Sequence, residues 1–277
     1  MVKVKIISLG VALVSLFFVA HAALGQTDEE RQKSAARAYV SCVSLAKNNP
    51  DRAISVAQNW RDSGGGTPAS HCLALALAAN GDYTESAYEL SRAAEILRNF
   101  GRTADASTSE TRLAIADLLA QSGNAWLLAN EALRAYDIFS QALSEISSTS
   151  LTAGEIYVDR ARASYELMDF EGTMSDLERA QNIYSNRTDI MVYKASALRA
   201  MERFDEAQIA IANALALSPD DEAALLERGN VRFSLGIFDG AREDWAQILM
   251  LYPNSVAAEM ARKNIEALDG IVSDSDG

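Results

Sequence analysis

Three consecutive stretches decide the fold: GEIYVDRARASYELMDFEGTMSDLERAQNIYSNR (154–187), TDIMVYKASALRAMERFDEAQIAIANALALSPDD (188–221) and EAALLERGNVRFSLGIFDGAREDWAQILMLYPNS (222–255). They align without a gap, so corresponding residues recur every 34 positions, as Phe204 and Phe238 do. A fixed period of this length is typical of a chain built from repeated structural units.

Each stretch has the pattern of two helices joined by a short turn. Its apolar residues follow helical spacing, as in Ile156, Ala161 and Tyr165, and no strand-like alternation occurs. The turn falls at Met168-Asp169 and at the equivalent residues of the other stretches. Small residues recur where two helices would cross, since a larger side chain there would hold the backbones apart. The repeated unit is therefore predicted to be a helix-turn-helix.

This pattern resembles the tetratricopeptide repeat, in which positions 8, 20 and 27 are small, position 24 is often aromatic and position 32 is proline. Counted from Gly154, Thr188 and Glu222, and from Ala116 for an earlier unit, the matching residues are Gly123, Ala161, Ala195 and Gly229 (8), Ala135, Ala207 and Ala241 (20), Phe139 and Trp245 (24), Ala142, Ala180 and Ala214 (27), and Pro219 and Pro253 (32). Thr173 and Ser185 depart from the pattern at positions 20 and 32. Position 7, usually leucine in the family, is Arg160, Lys194 and Arg228.

The resemblance implies an all-α fold, a right-handed α-solenoid of about six helix-turn-helix repeats with a C-terminal capping helix. The predicted units are 34–66, 67–100, 116–149, 154–187, 188–221 and 222–255, followed by a cap at 256–268. Pro50 is expected to open the second helix of the first unit. Residues 23–33 are predicted to be a lead-in, and 269–277 an acidic disordered tail.

The first residues have the three-part layout of a secretory signal peptide. Lys3 and Lys5 precede an uncharged run from Ile6 to Ala20, and Ala20 and Ala22 form a small-x-small triplet at its end. We predict a signal peptide at 1–22 and export to a periplasm or cell envelope. The apolar run also allows an uncleaved membrane anchor, which would be the protein's contact with a membrane.

The charge of the chain restricts its partners. With 38 acidic against 25 basic residues, the formal charge of −13 repels phosphate backbones. We therefore expect no nucleic acid as a ligand, and a protein or peptide as the partner.

Cys42 and Cys72 are the only cysteines, and they fall in the first helices of adjacent units. Because export exposes them to an oxidising compartment, a disulfide between them is predicted. It would close a loop of about 30 residues and contribute about 3 to 4 kcal/mol. Two buried free thiols are the alternative. A nucleophile made of Cys72 and the adjacent His71 is disfavoured, since neighbouring side chains on a helix point about 100° apart.

No motif for a metal, a phosphate loop or a catalytic serine occurs, so we expect no enzyme, cofactor or metal. The resemblance implies that ligands lie on the concave face, formed by positions 2, 5, 9, 12 and 13 of each first helix. The candidate partner-binding residues are Asn124, Arg162, Tyr165, Arg199, Asn230 and Phe233. The predicted function is a protein-protein interaction scaffold. A binding protein for one defined peptide or small ligand and, less favoured, a Cys-dependent enzyme are the alternatives.

Overall fold

The computed structural model describes residues 28–103 and 108–275, and all regular structure within these ranges is α-helical. The thirteen helices of this part of the chain are α1 (Asp28–Asn48), α2 (Pro50–Asp62), α3 (Gly66–Asn80), α4 (Tyr83–Thr103), α5 (Ser109–Leu128), α6 (Ala132–Glu145), α7 (Leu151–Glu166), α8 (Phe170–Ile183), α9 (Thr188–Ala200), α10 (Phe204–Leu217), α11 (Glu222–Ser234), α12 (Phe238–Leu251) and α13 (Val256–Ser275). The prediction of an all-α fold made of helix-turn-helix repeats is confirmed. None of the described helices is both long and apolar enough to cross a membrane.

The helices form two compact units, one ending at Ala163 and the other beginning at Ser164, within α7. The N-terminal unit has its main core between α4, α5 and α6, where Leu118 and Phe139 are fully buried. The C-terminal unit has a core around Trp245 and Ile248 of α12, which pack with residues of α9, α10, α11 and α13. Alanines fill many of the remaining core positions because the helices approach each other closely.

The turn within a repeat has the same backbone conformation in five successive units. Position 15, which lies in the turn between the two helices, has a positive φ at every one of Gly81 (90°), Asn130 (59°), Met168 (60°), Glu202 (59°) and Gly236 (74°). In this left-handed region the chain reverses and the amide of the next residue bonds back to the helix, as Asp169 N does to Ser164 O at 2.9 Å. Glycine occurs at only two of the five positions, so the other three carry backbone strain.

The small residue at position 8 is matched to the side chain at position 24 of the same repeat. Gly123 faces the Phe139 ring, and a β-carbon on this glycine would come within 2.7 Å of Cδ1 of that ring. Gly229 faces the indole of Trp245 in the same way. Where position 24 is aliphatic, as at Ile211, position 8 is an alanine, Ala195. In both repeats that have an aromatic side chain at position 24, the residue at position 8 is thus a glycine against which the ring packs.

The turn of the first repeat differs from the other five, since no residue between α1 and α2 has a positive φ. Asn49 lies between α1 and α2, and its side chain accepts a hydrogen bond from the Arg52 amide at 3.2 Å. Pro50 then begins α2, which confirms the expectation that it opens the second helix of this unit.

Both ends of the described chain are more helical than predicted. Helix α1 begins at Asp28, inside the predicted lead-in, and α13 continues to Ser275, beyond the predicted end of the capping helix at residue 268. The Asp269 carboxylate accepts a hydrogen bond from Arg242 of α12, which ties this turn of α13 to the unit. The low apolar content of residues 269–277 gave no indication of this hydrogen bond. The predicted signal peptide lies outside the described residues.

A candidate binding surface on the first helices

The candidate residues of the N-terminal unit form one hydrogen-bonded group. Asn124 of α5 donates to Asp159 of α7 at 2.8 Å and to the carbonyl of Ala120 at 3.2 Å. Arg162 donates to Asp159 at 3.1 Å and to the Asn124 side-chain oxygen at 3.3 Å. Both N–H groups of the Asn124 amide are therefore used within the protein, and its oxygen keeps one lone pair for a ligand.

Asp159, which the sequence-based prediction did not single out, is the centre of this group. Burial raises the pKa of its carboxyl, while the charge of Arg162 and the hydrogen bonds from Arg162 and Asn124 act in the opposite direction. Asp159 precedes Arg162 by three residues on α7, a spacing that brings side chains together on one helix face. That spacing is the sequence signal from which the pair could have been predicted.

A second partly buried carboxyl, Asp117, lies on the same face of α5 one and two turns before Gln121 and Asn124. Burial raises its pKa to about 6. Gln121 in turn contacts His71 of α3, with 2.9 Å between its Oε1 and Nε2 of the ring. The first helices of this unit thus carry two carboxyl groups, Asp117 and Asp159, that are partly shielded from solvent.

The C-terminal unit contains a longer polar chain that runs from the end of α7 through α9 and α11 to α13. Arg199 donates to Glu227 of α11 from Nε at 2.6 Å and from Nη2 at 3.4 Å. Asn230 donates to Glu227 at 3.3 Å and accepts from Asn264 of α13 at 3.0 Å. Tyr165 is hydrogen-bonded to Arg199 at the other end. We call this set of five residues the polar ladder.

The ladder neutralises its own charges. The Glu227 side chain is only 8% exposed, so it requires the arginine that faces it. Burial opposes the charge on Arg199, but the hydrogen bond and the charge of Glu227 outweigh it and raise the pKa of the guanidinium. The sequence led us to expect that Arg162 and Arg199 are available for a ligand carboxylate. In the structure each is bonded to a carboxylate of this chain, so its charge is already paired before a ligand arrives.

Asn230 is a ladder residue that can both donate and accept a further hydrogen bond. Its two bonds use one N–H and one lone pair, so a second N–H and a second lone pair remain. Asn264 follows Asn230 by 34 residues, which shows that the repeat register continues into the last helix. Phe233, one turn after Asn230, packs on Phe238 and Trp245 with ring centroids at 5.6 and 5.9 Å. Phe233 therefore belongs to the packing of the repeat as well as to the candidate surface.

The structure contains the predicted disulfide. Cys42 of α1 and Cys72 of α3 are bonded, with their Cα atoms 6.2 Å apart, and both side chains are buried. His71 points instead to Tyr39, whose hydroxyl lies 2.7 Å from Nδ1, and to Gln121. Cys72 and His71 therefore do not form a nucleophile pair in this structure. Among the described residues, no group of side chains is arranged to bind a metal ion.

Burial changes the titration of the residues next to the disulfide. It lowers the pKa of His71, and the hydrogen bond to Gln121 only partly opposes this effect. Burial also raises the pKa of Tyr39 to about 12. A neutral ring that accepts at Nδ1 and donates from Nε2 satisfies both neighbours.

Comparison with known proteins identifies the fold. No protein-family profile matches the chain. Among curated proteins, human peptidyl-prolyl cis-trans isomerase FKBP4 is 26% identical over 141 residues, which are 47% of this chain and 30% of that protein. The chain therefore spans about a third of the length of the curated relative that it matches.

Solved structures give a broader match. PilF of Pseudomonas aeruginosa superposes with a TM-score of 0.57 at 13% identity, covering 83% of this chain and 99% of that one. TTC0263, a thermophilic TPR protein of Thermus thermophilus, superposes with a TM-score of 0.53 at 16% identity, covering 73% and 98%. With its successive helix pairs, the chain is a helical-repeat protein. Its fold is that of the tetratricopeptide-repeat proteins, as the residues at positions 8, 20 and 27 predict.

Proposed function

We propose that the protein is a non-enzymatic scaffold for protein-protein interaction and that the first helices of its repeats bind a protein or peptide. The observation that carries the proposal is the unused N–H and lone pair of Asn230, held in place by Glu227 and Asn264. A peptide backbone amide offers the complementary acceptor and donor. Because the ladder is already bonded, the Asn230 side chain needs little ordering when a ligand arrives.

The charge and the fold support the same class of partner. The negative charge of the chain disfavours nucleic acid, and the neutralised ladder disfavours a ligand recognised by its charge alone. We further propose export to a periplasm or cell envelope, on the basis of the N-terminal sequence and of two buried cysteines that are joined in a disulfide.

Site-specific photo-crosslinking in the native compartment tests the proposal. A photoreactive residue placed within the ladder would disturb its hydrogen bonds, so we choose Leu226 of α11, which is half-buried on the same helix as Asn230. The matched control is Ile209 of α10, which is 64% exposed on a second helix. We expect a protein adduct at Leu226 that Asn230→Ala abolishes and Asn213→Ala, an exposed asparagine of α10, leaves intact.

The outcomes separate the proposal from its alternatives. Adducts only at Ile209, or an adduct at Leu226 that Asn230→Ala does not change, would reject the first-helix surface. Several protein partners favour a scaffold, whereas one peptide or small molecule favours a binding protein for a defined ligand. Labelling of a Cys72 thiol at neutral pH, with an activity lost in Cys72→Ala, would establish the enzyme alternative. Cell fractionation and N-terminal sequencing of the purified protein test export.

Charge reversal of Arg162 and Arg199 is a poor test of binding. Arg199→Glu would set a second carboxylate against the buried Glu227, and Arg162→Glu would do the same against Asp159. Loss of a partner in such variants could not be separated from loss of the fold. Asn230→Ala avoids this problem because it removes no charge.

A further inference from the structure

One face of helix α5 carries three polar side chains with unused hydrogen-bonding groups. Asp117, Gln121 and Asn124 follow one another at about one helical turn, and each is half-buried. Together they extend over about 10 Å of the first-helix surface of the N-terminal unit. This face is distinct from the polar ladder, which belongs to the C-terminal unit.

Asp117 is a carboxylate without a counterion. Within the described residues it makes no hydrogen bond and no ion pair, and burial is the cause of its raised pKa. Arg162 of α7 is bonded to Asp159 and Asn124 instead. Because it is costly to remove a carboxylate from water without pairing it, such a group marks a candidate binding site. The group that complements it is a cation.

Gln121 is held through its side-chain oxygen by a buried network. The Tyr39 hydroxyl lies 2.7 Å from Nδ1 of His71, and Nε2 of the neutral ring donates to Gln121 Oε1 at 2.9 Å. His71 is 4% exposed and adjoins Cys72 of the disulfide. The amide nitrogen of Gln121 makes no hydrogen bond to any described residue, so its two N–H groups can donate to a carbonyl oxygen of a ligand.

Asn124 supplies the opposite polarity. Asp159 and the Ala120 carbonyl accept from its N–H groups, and its oxygen, which accepts from Arg162, keeps one lone pair. This lone pair fits the N–H of a peptide group. The order along α5 is thus an anion, a donor and an acceptor. A peptide that carries an ammonium group close to a peptide bond offers the complement of all three.

We propose that this face of α5 binds the ammonium group of a peptide, supplied by a lysine side chain or by a free N-terminus. The ammonium pairs with Asp117, a peptide carbonyl accepts from Gln121, and a peptide N–H donates to Asn124. The inference rests on the proposed function, because it assigns the chemistry of the partner at the first-helix surface. The excess of acidic residues, 38 against 25 basic, attracts a cationic partner. Because His71 already holds Gln121, little ordering is needed on binding.

Side-chain amide NMR on the full chain tests this site with three peptides. Acetyl-Ala-Ala-Lys-Ala-Ala-amide carries the lysine, the same peptide with Nε-acetyl-lysine lacks its charge, and pentaalanine amide with a free N-terminus is the other source of an ammonium group. We expect at least one of the charged peptides to shift the side-chain amide signals of Gln121 and Asn124. It should bind at least about tenfold more tightly than the acetyl-lysine peptide. The charged peptide that binds more tightly identifies the source.

Two variants test the role of the carboxylate. Asp117→Asn should remove the preference for a charged peptide. Since this change also removes a desolvated charge, the variant should be at least as stable as the original chain, so a loss of binding would not come from unfolding. Circular dichroism checks the fold. The matched control is Asp137→Asn, an exposed carboxylate of the second helix α6, which should keep the full preference.

Several results would overturn the proposal. They are equal binding of the charged and acetylated peptides, a preference that survives in Asp117→Asn, and no shift of either amide signal at about 10 mM peptide. A preference lost equally in Asp137→Asn would show only general attraction to an acidic protein. An adduct at Leu226 without this preference would overturn the present inference alone. The preference without that adduct would reject only the binding surface around Asn230.

Discussion

Gly229 of α11 lies against the indole of Trp245 of α12, so closely that a β-carbon at position 229 would come within 2.7 Å of Cδ1 of the ring. Trp245 is 2% exposed and is the largest fully surrounded side chain of its core. The glycine is required by this contact and by nothing in its backbone conformation, since it is helical. The same relationship joins Gly123 and Phe139 in the other compact unit.

Gly229→Ala should therefore lower the free energy of unfolding by about 1 to 3 kcal/mol, because the indole must move within a packed core. Urea unfolding followed by circular dichroism measures the change. Gly270 is the matched control: it is also helical, and an added β-carbon would meet no atom within 4 Å. Gly270→Ala should be neutral or stabilising by up to about 1 kcal/mol. A similar loss in both variants would mean that the steric explanation is wrong.

Met168→Gly should stabilise the protein by about 0.5 to 1.5 kcal/mol, since it removes a side chain from a left-handed conformation. Met168 is 77% exposed, so little buried apolar surface is lost. Glu202→Gly, at the same repeat position, should act in the same direction. Asn130→Gly should gain less because asparagine tolerates this conformation. Leu167→Gly, one residue before Met168, should destabilise. These four values come from matched urea unfolding curves.

Lowering the pH should destabilise the protein through His71. Since burial lowers the pKa of His71 in the folded state, the unfolded chain binds more protons below its ordinary pKa of 6.5. The contribution of His71 to the free energy of unfolding is thus fully present above pH 6.5. It is lost as the pH falls from 6.5 toward the pKa of His71 in the folded state. The slope is at most about 1.4 kcal/mol per pH unit. The variant His71→Gln, which keeps hydrogen-bonding groups beside Tyr39 and Gln121, should lose less stability between about pH 7.5 and 5.5. Equal losses would exclude His71 as the titrating group.

Asp117 should have the opposite effect. Its pKa is about 6 in the folded protein against 3.8 ordinarily, so the folded state binds more protons in this interval and stability falls as the pH rises through it. Asp117→Asn should therefore stabilise the protein by about 1 to 3 kcal/mol at neutral pH and give no gain below about pH 4. Glu95→Gln, on the exposed side of α4, is the control and should change stability little at either pH. A gain that is the same at both pH values would contradict the desolvation of Asp117.

Reduction of the disulfide should destabilise the N-terminal unit by about 3 to 4 kcal/mol, because the loop between Cys42 and Cys72 spans 30 residues. Intact mass after alkylation under denaturing conditions, with and without prior reduction, shows whether the bond is present. Urea unfolding with and without reductant gives its contribution to stability. The double variant Cys42→Ala with Cys72→Ala should not respond to reductant. Alkylation of both cysteines without reduction would contradict the bond.

The sequence by itself determined the repeat and most of its helices. Helical spacing and the small residues at positions 8, 20 and 27 are local and periodic signals, so they can be read from a single chain. The disulfide could also be predicted, since only two cysteines exist and the register places them in neighbouring first helices. The pairing of Arg162 with Asp159 could have been predicted as well, because Asp159 is only three residues away on the same helix.

Only the tertiary structure decided which candidate side chains are free. Arg199 meets Glu227 across 28 residues of sequence, and no local pattern reveals that a carboxylate on the next repeat already occupies it. The left-handed turns at Met168 and Glu202 follow from the geometry of the repeat and oppose the preferences of those residues. Helix α13 continues to Ser275 with a distant arginine bonded to Asp269. Periodicity thus defines the units, whereas the contacts between units, which depend on three-dimensional packing, decide what each side chain can bind.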